Sequence, residues 1–318
     1  MTKICFYGLL HIKPGENNKL NFHSKNHIEK IVVYLKNAVL LNEQLKNINI
    51  KFVLLTNKKV FIEKILKNLN YNLNIKTLSF KTFVPKNTHF YACHFRVDVF
   101  HYLSKLKNNY SILIDLDVLI LKDLKNFKKN LNFNEGIVNN ISNNVFPAYG
   151  KDVIKQKLII LDQNAKRFQW YGGDFFAGNF KFFKVMYQFS RYYQKKFVEN
   201  MKNLRNQTDE LFISATINKI KSDNLYKIKN STNNRLFTRY WNTNVKHRQN
   251  NLSNYLSYKI LHLPADKVFL STCFNNLNET KNFKVNYKIY VESFKSFVKL
   301  SVSKYMPQLL KDYAKKVT

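Results

Sequence analysis

The chain is poor in cysteine, glycine, proline and acid, and it has no long apolar run. Its three cysteines, Cys5, Cys93 and Cys273, are odd in number and show no CxxC spacing, which excludes a disulfide framework or a zinc knuckle and leaves reduced core thiols. No stretch reaches the roughly 18 consecutive apolar residues that a membrane-spanning helix requires. The start, Met1-Thr2-Lys3-Ile4-Cys5-Phe6, enters a strand-like run too short for a signal peptide. A cytoplasmic protein is therefore expected. Seven glycines and five prolines stand among abundant Lys, Asn, Ile and Phe, the composition AT-biased coding produces, so part of the charge carries no functional information.

Acid is the scarcest class relative to its opposite. Twenty Asp and Glu face 53 Lys and Arg, a formal net charge of +33, whose field attracts nucleic acid, anionic membrane or phosphorylated substrates. The 318 residues are 45% hydrophobic and 15% aromatic, ample for one large core or a main domain with an appendage.

The first half alternates strand-like and helix-like runs, the pattern of βαβ units around a largely parallel sheet. Lys3 to Tyr7 reads as a strand ending at Gly8. Residues 26 to 46 carry Ile28, Ile31, Val32, Leu35, Val39 and Leu45 near helical spacing, and the buried strand Phe52 to Asn57 follows. A helix over 59 to 69, a strand from Ile75 to Phe80 and a helix from Thr88 to Lys107 complete this half. Residues 132 to 174 read as loops and short strands around Pro147, Gly150 and Gly172-Gly173; helical patterns return from Lys181 to Asn218, and Leu261-His262-Leu263-Pro264 reads as a strand end. The expected fold class is α/β, a Rossmann-like, mainly parallel mixed sheet flanked by helices. A catalytic domain is placed at 1–275 and a basic helical segment at 276–318.

One segment carries chemistry. Tyr110-Ser-Ile-Leu-Ile-Asp115-Leu-Asp117-Val-Leu-Ile-Leu121 is an apolar strand interrupted by two carboxylates. Ionised acids in such a run must be paired, hydrogen-bonded or bound to metal. Open α/β sheets bind ligands beyond the carboxyl ends of their strands. Hard cations such as Mg²⁺ or Mn²⁺ take carboxylate oxygens there and bridge to phosphates. Alone, an Asp-x-Asp also fits a solvated turn.

The run Tyr110 to Leu124 resembles the Asp-x-Asp motif of retaining GT-A glycosyltransferases of the glycogenin and lipopolysaccharide galactosyltransferase group. Upstream, Tyr91-Ala-Cys-His-Phe-Arg96-Val-Asp98 is similar to the helix whose arginine reaches the donor. Downstream, Tyr171-Gly172-Gly173-Asp174-Phe175 and Thr208-Asp209-Glu210-Leu211 are similar to elements of the blood-group and α-1,3-galactosyltransferase family. Ile260-Leu261-His262 to Lys267 resembles a C-terminal element with a metal-ligating histidine and a phosphate-contacting lysine, although Ala265 replaces its glycine and Phe269 its tryptophan.

The resemblance implies a GT-A fold and transfer of a hexose or N-acetylhexosamine from a nucleotide-sugar, expected to be a UDP-sugar, to a glycan or lipid-linked saccharide, with retention. Surface polysaccharide or lipooligosaccharide synthesis is the expected setting. Asp115, Asp117 and His262 are expected to hold Mn²⁺ or Mg²⁺, and Phe6, Tyr7, Arg96 and Lys267 to join the two acids in contacting the donor. Glu210, Asp209 and Asp174, in that order, are expected at the reacting sugar, and Trp170, Gly172, Gly173 and Trp241 at the acceptor. The run Arg235 to Asn242 is read as a lid.

From Lys281 to Thr318, nine lysines accompany two acids, and Tyr290, Phe294, Phe297, Val298 and Tyr305 share one side of a helix. Such a segment serves either as an interfacial anchor on an anionic membrane or as a packed terminal helix. Peripheral attachment to the inner face of a membrane follows from the first option. Two rival functions also draw on the sequence. Single-strand nucleic-acid binding draws on the charge and on 19 Tyr and 27 Phe, but no nucleic-acid motif occurs and no specific nucleic-acid partner is expected. A sugar nucleotidyltransferase wants a glycine-rich phosphate loop near the N-terminus, where only Gly8 and Gly15 occur.

Overall fold

The computed structural model describes residues 3–13, 27–86, 88, 90–122, 124, 127, 131–204, 208–242, 247–273 and 283–293. The chain falls into two units, Met1–Asn275 and Asn276–Thr318.

The first unit is α/β. Seven strands form one sheet in the order β3-β2-β1-β4-β7-β6-β8, where β1 is Lys3–Leu10, β2 Lys51–Thr56, β3 Ile75–Thr77, β4 Asn109–Ile114, β6 Gly136–Asn140, β7 Tyr171–Gly178 and β8 Ile228–Asn230. β7 runs against its two neighbours, β4 and β6, while the other paired strands are parallel. Six strands therefore present their carboxyl ends at one edge. A small second sheet, in the order β5-β10-β9, joins β5 (Val118–Ile120), β10 (Ile260–His262) and β9 (Phe237–Arg239).

Both faces of the large sheet are covered, which is why β1, β2 and β4 read as nearly continuous apolar runs. Alternation along β1 sends Ile4 and Phe6 to one core and Cys5 and Tyr7 to the other. The first core is closed by Ile31, Leu35, Ala38 and Leu45 of helix His27–Lys46 and by Ile62 and Leu66 of helix Lys59–Asn68. The second takes Val99 and Phe100 of helix Arg96–Leu103, Phe182, Phe183 and Met186 of helix Phe180–Glu199, and Phe212 and Ile213 of helix Glu210–Ser222.

Two expectations are corrected. The stretch 132–174 holds helices Ser142–Tyr149 and Lys151–Leu161 as well as β6 and the start of β7. Pro147 lies inside the first helix and Gly150, at φ 82°, separates the two, so the breaker residues that suggest loops instead punctuate a helix pair. The oily run 110–121 is also not one strand: β4 ends at Ile114, and β5, beginning at Val118, belongs to the other sheet.

In the second unit, residues 283–293 are helical. Phe283, Tyr287 and Val291 are buried at i, i+4 and i+8, whereas Val285 and Ile289 are exposed. Of the expected aromatic stripe, Tyr290 is half-buried; Phe294, Phe297, Val298 and Tyr305 lie outside the described residues. No helix among the described residues is long and apolar enough to cross a membrane.

Candidate functional site

The split of the oily run builds the site. Asp115, Leu116 and Asp117 connect the last residue of β4 to the first of β5, so they stand where the two sheets meet. Leu116 turns into the core, and the acids on either side of it face the other way. Strand register then delivers the partners. Asp174 of β7 sits beside Asp115, whose amide donates to the Asp174 carbonyl at 3.2 Å. His262 pairs with Val118 in β10–β5 and with Arg239 in β10–β9, and Leu263 N–H donates to Asp117 O at 2.9 Å.

The side chains form one charged network. His262 Nε2 lies 3.1 Å from Asp117 Oδ1 and 3.8 Å from Asp115 Oδ2, while its Nδ1 is 2.9 Å from Asp174 Oδ2. Asn139 Nδ2 donates to Asp174 Oδ1 at 3.1 Å. Arg239 Nε is 3.5 Å from Asp174 Oδ2, and its Nη1 donates to Glu210 Oε1 at 2.7 Å. The other Glu210 oxygen accepts from Trp170 Nε1 at 3.0 Å. Arg96 bridges Asp115 and Asp209, with 2.5 Å to the latter. Lys267 Nζ is 2.6 Å from Asp117 Oδ2 and also donates to Pro264 O.

Burial and charge oppose each other here. Burial alone would raise Asp117, but Lys267 and then His262 overcome it and hold its carboxyl well below the usual range. Asp174 is lowered in the same way by Arg239 and His262 against its burial. His262 would be lowered by burial, yet Asp117 and Asp174 push it up to about 9. Asp209 goes the other way: burial, resisted by Arg96 and reinforced by Glu210 and Asp115, raises it to about 6.

The residues fit a divalent cation. One ligand atom from each of Asp115, Asp117 and His262 lies within 4.8 Å of the others. With its Nδ1 held by Asp174, His262 keeps Nε2 turned toward the two acids, as a histidine ligand requires once neutral. Five carboxylates (Asp115, Asp117, Asp174, Asp209, Glu210) face three permanent cations (Arg96, Arg239, Lys267) across this network. With His262 neutral, two negative charges remain for such an ion to balance.

Apart from Trp241, the residues predicted from sequence divide into three sets. Asp115, Asp117, His262, Asp174, Arg96, Lys267, Asp209 and Glu210 come together. Asp209 precedes helix Glu210–Ser222 without capping it through its side chain, so its carboxylate serves Arg96 rather than the helix end. Trp170, Gly172 and Gly173, expected at the acceptor, lie against the site's carboxylates. A Cβ on Gly172 would stand 2.5 Å from Asp174 Oδ1, and one on Gly173 2.6 Å from Asp209 Oδ2; these glycines make room for carboxylates, and Trp170 anchors one. Phe6 and Tyr7 are not brought to the site. They lie in opposite cores, register with Ile112 and Leu113 below the strand end, and the Tyr7 hydroxyl accepts from Asn109 at the start of β4.

The chain residues at the end of β1 are instead His11 and Ile12. Ile12 exchanges hydrogen bonds with the Asn57 side chain at 2.9 and 2.8 Å. His11 stacks on Phe95, the neighbour of Arg96, with ring centres 4.1 Å apart. Trp241 stands near Arg239 and His247, at 5.9 and 6.3 Å. Its buried Nε1 has no hydrogen-bond partner among the described residues. Asn139 and the Arg239 bridge were missed by sequence reasoning. Arg239 lies within the run Arg235 to Asn242 that reads as a lid, and Asn139 carries no motif.

No protein-family model matches the chain, and no curated protein matches it.

Proposed function

We propose that this protein is a divalent-metal-dependent glycosyltransferase of GT-A type that uses a nucleoside-diphosphate sugar, with a UDP-sugar as the first candidate. One observation carries the reading: Asp115, Asp117 and His262 converge at the carboxyl edge of a mainly parallel sheet, with Arg96 and Lys267 paired to the same two aspartates. That is where phosphate ligands of open α/β sheets bind, and it combines hard oxygen donors with cations suited to a diphosphate.

Asp115, Asp117 and His262 would hold a divalent ion, and that ion would supply Lewis-acid assistance to diphosphate departure. Arg96, kept protonated by Asp115 and Asp209 despite its burial, adds positive charge on the side of the leaving group. The nucleoside extends toward the end of β1, where Asn57 and the His11–Phe95 stack line the edge.

Of the three acids proposed for the reacting sugar, Glu210 is the one with access. Its side chain is 19% exposed, against 4% for Asp209 and 2% for Asp174. Both its oxygens are engaged, by Arg239 and by Trp170. It acts as a fixed negative charge supporting an oxocarbenium-like sugar and same-face attack, with Asp174 and Asp209 positioning His262 and Arg96. The acceptor saccharide approaches on the Trp241 side, and the departing phosphate takes the acceptor proton.

A thermal-shift panel of nucleoside diphosphates with and without Mn²⁺, followed by UDP-hexose hydrolysis, tests the reading. Stabilisation by UDP that depends on Mn²⁺ is expected. Equal response to every nucleotide without metal, or none at all, overturns it.

A further inference from the structure

We infer that Lys267 is a built-in competitor of the metal ion, an internal cation that neutralises Asp117 until metal and diphosphate arrive together. This rests on the proposed metal-dependent reading and concerns what the chain does before its ligands bind.

The two cations that hold the aspartate pair are not equivalent. Arg96 is shared between Asp115 and Asp209, so it stays anchored by a second carboxylate if Asp115 turns to a metal. Among the described residues Lys267 ion-pairs directly with Asp117 and feels Asp115 only at longer range, and it otherwise donates to the neutral carbonyl of Pro264. Only its side chain has to move. Its own carbonyl is fixed by Asn37 Nδ2 at 3.2 Å, and it begins helix Lys267–Cys273.

The ammonium lies against Asp117 Oδ2 while His262 occupies Oδ1, so both oxygens of a metal-ligating carboxylate are already engaged. A metal at Asp117 must meet this buried positive charge or displace it. A diphosphate offers the displaced ammonium an anionic partner, because a lysine is a flexible point charge that exchanges one oxyanion for another. Metal without diphosphate is therefore held weakly, and the pair is held well.

The test uses Mn²⁺ alone on the full-length chain, with free Mn²⁺ measured by electron paramagnetic resonance at neutral pH. Lys267→Gln is expected to bind Mn²⁺ at least tenfold more tightly than the wild type. Lys267→Arg, which keeps the charge, is expected to bind no more tightly than the wild type and covers the case in which Lys267→Gln does not fold. Adding UDP is expected to tighten Mn²⁺ binding less in Lys267→Gln than in the wild type. If the wild type binds Mn²⁺ and Lys267→Gln binds it equally or more weakly, the competitor role fails and the metal site stands. The role also fails if Lys267→Arg tightens binding. If neither the wild type nor Lys267→Gln binds Mn²⁺, the metal-dependent reading fails with it.

Discussion

The two ends of the large sheet bury charge in opposite ways. At the carboxyl end, Asp117, Asp174, Asp209, Arg96, His262 and Lys267 are all buried and share partners. At the amino end, ahead of β6, Glu135 is buried and held by Lys227 and Lys229 at 2.6 Å each, both of whose side chains reach well into solvent. An acid whose counter-charges are hydrated and replaceable is a local stitch between β6 and β8. A network whose cations are buried with it cannot lose a member without stranding another. Burying ion pairs in this way adds little stability over an apolar core of the same volume.

The sharpest way to break this contrast is to remove the cation with the most buried obligations. Arg239→Met leaves Glu210 and Asp174 without their shared guanidinium and is expected to cost about 3–5 kcal/mol of folding stability. Adding Glu210→Gln should recover about 1 kcal/mol or more of that loss, because the two sites are in direct contact. Denaturant midpoints of the four chains give the coupling. A loss below about 1 kcal/mol from the single change would mean the site is no more interdependent than a surface pair.

Next in size is the hold of Asp174 on His262. Asp174→Ala frees Nδ1 and the ring orientation, and Mn²⁺ affinity is expected to fall about 10- to 100-fold, as for other carboxylates behind a histidine ligand. Titration of Mn²⁺ alone into wild type and variant measures it. Unchanged affinity would leave His262 outside the metal's ligands.

A smaller effect is expected at Gly173. A methyl group there would press on the Asp209 carboxylate, so Gly173→Ala is expected to cost about 1–3 kcal/mol by overpacking and to weaken Mn²⁺-dependent UDP binding through Arg96. Thermal unfolding with and without UDP separates the two. A variant as stable as the wild type would show that Asp209 has room to retreat.

What was legible beforehand divides along the same line. Two acids in an oily run announce themselves because their burial is expensive wherever the chain places them, and the spacing along helix His27–Lys46 finds Ile31, Leu35, Val39 and Leu45 of its buried face although Ile28 is exposed. Partners set by register do not announce themselves. That Asp174 stands beside Asp115, Arg239 beside His262 and Asn139 against Asp174 follows from pairings between strands far apart in sequence. Phe6 and Tyr7 read as donor contacts, but β1 continues to Leu10 and leaves both in the cores. Pro147 and Gly150 read as loop because local propensity counts breakers, whereas Ile154, Leu158 and Leu161 fix their helix by tertiary burial.

The smallest expected effect is the pH response of Glu135, and it separates the two kinds of burial. Burial raises the Glu135 carboxyl, but hydrogen bonds and charge from Lys227 and Lys229 outweigh it and hold the group below its ordinary 4.5. A depressed carboxylate contributes stability that is present above the unfolded value and disappears as pH falls through the folded one. The advantage of wild type over Glu135→Gln should therefore be visible at pH 7 and close below pH 4.5. Because both lysines are hydrated, its size is about 1 kcal/mol or less, and 1 M salt should shrink it. The Arg239 coupling, whose side chains are 9% and 19% exposed against 71% and 49% for the two lysines, should lose less to the same salt. Equal salt sensitivity of the two would erase the distinction between a hydrated stitch and a buried network, and with it the case that the carboxyl end is built around a ligand.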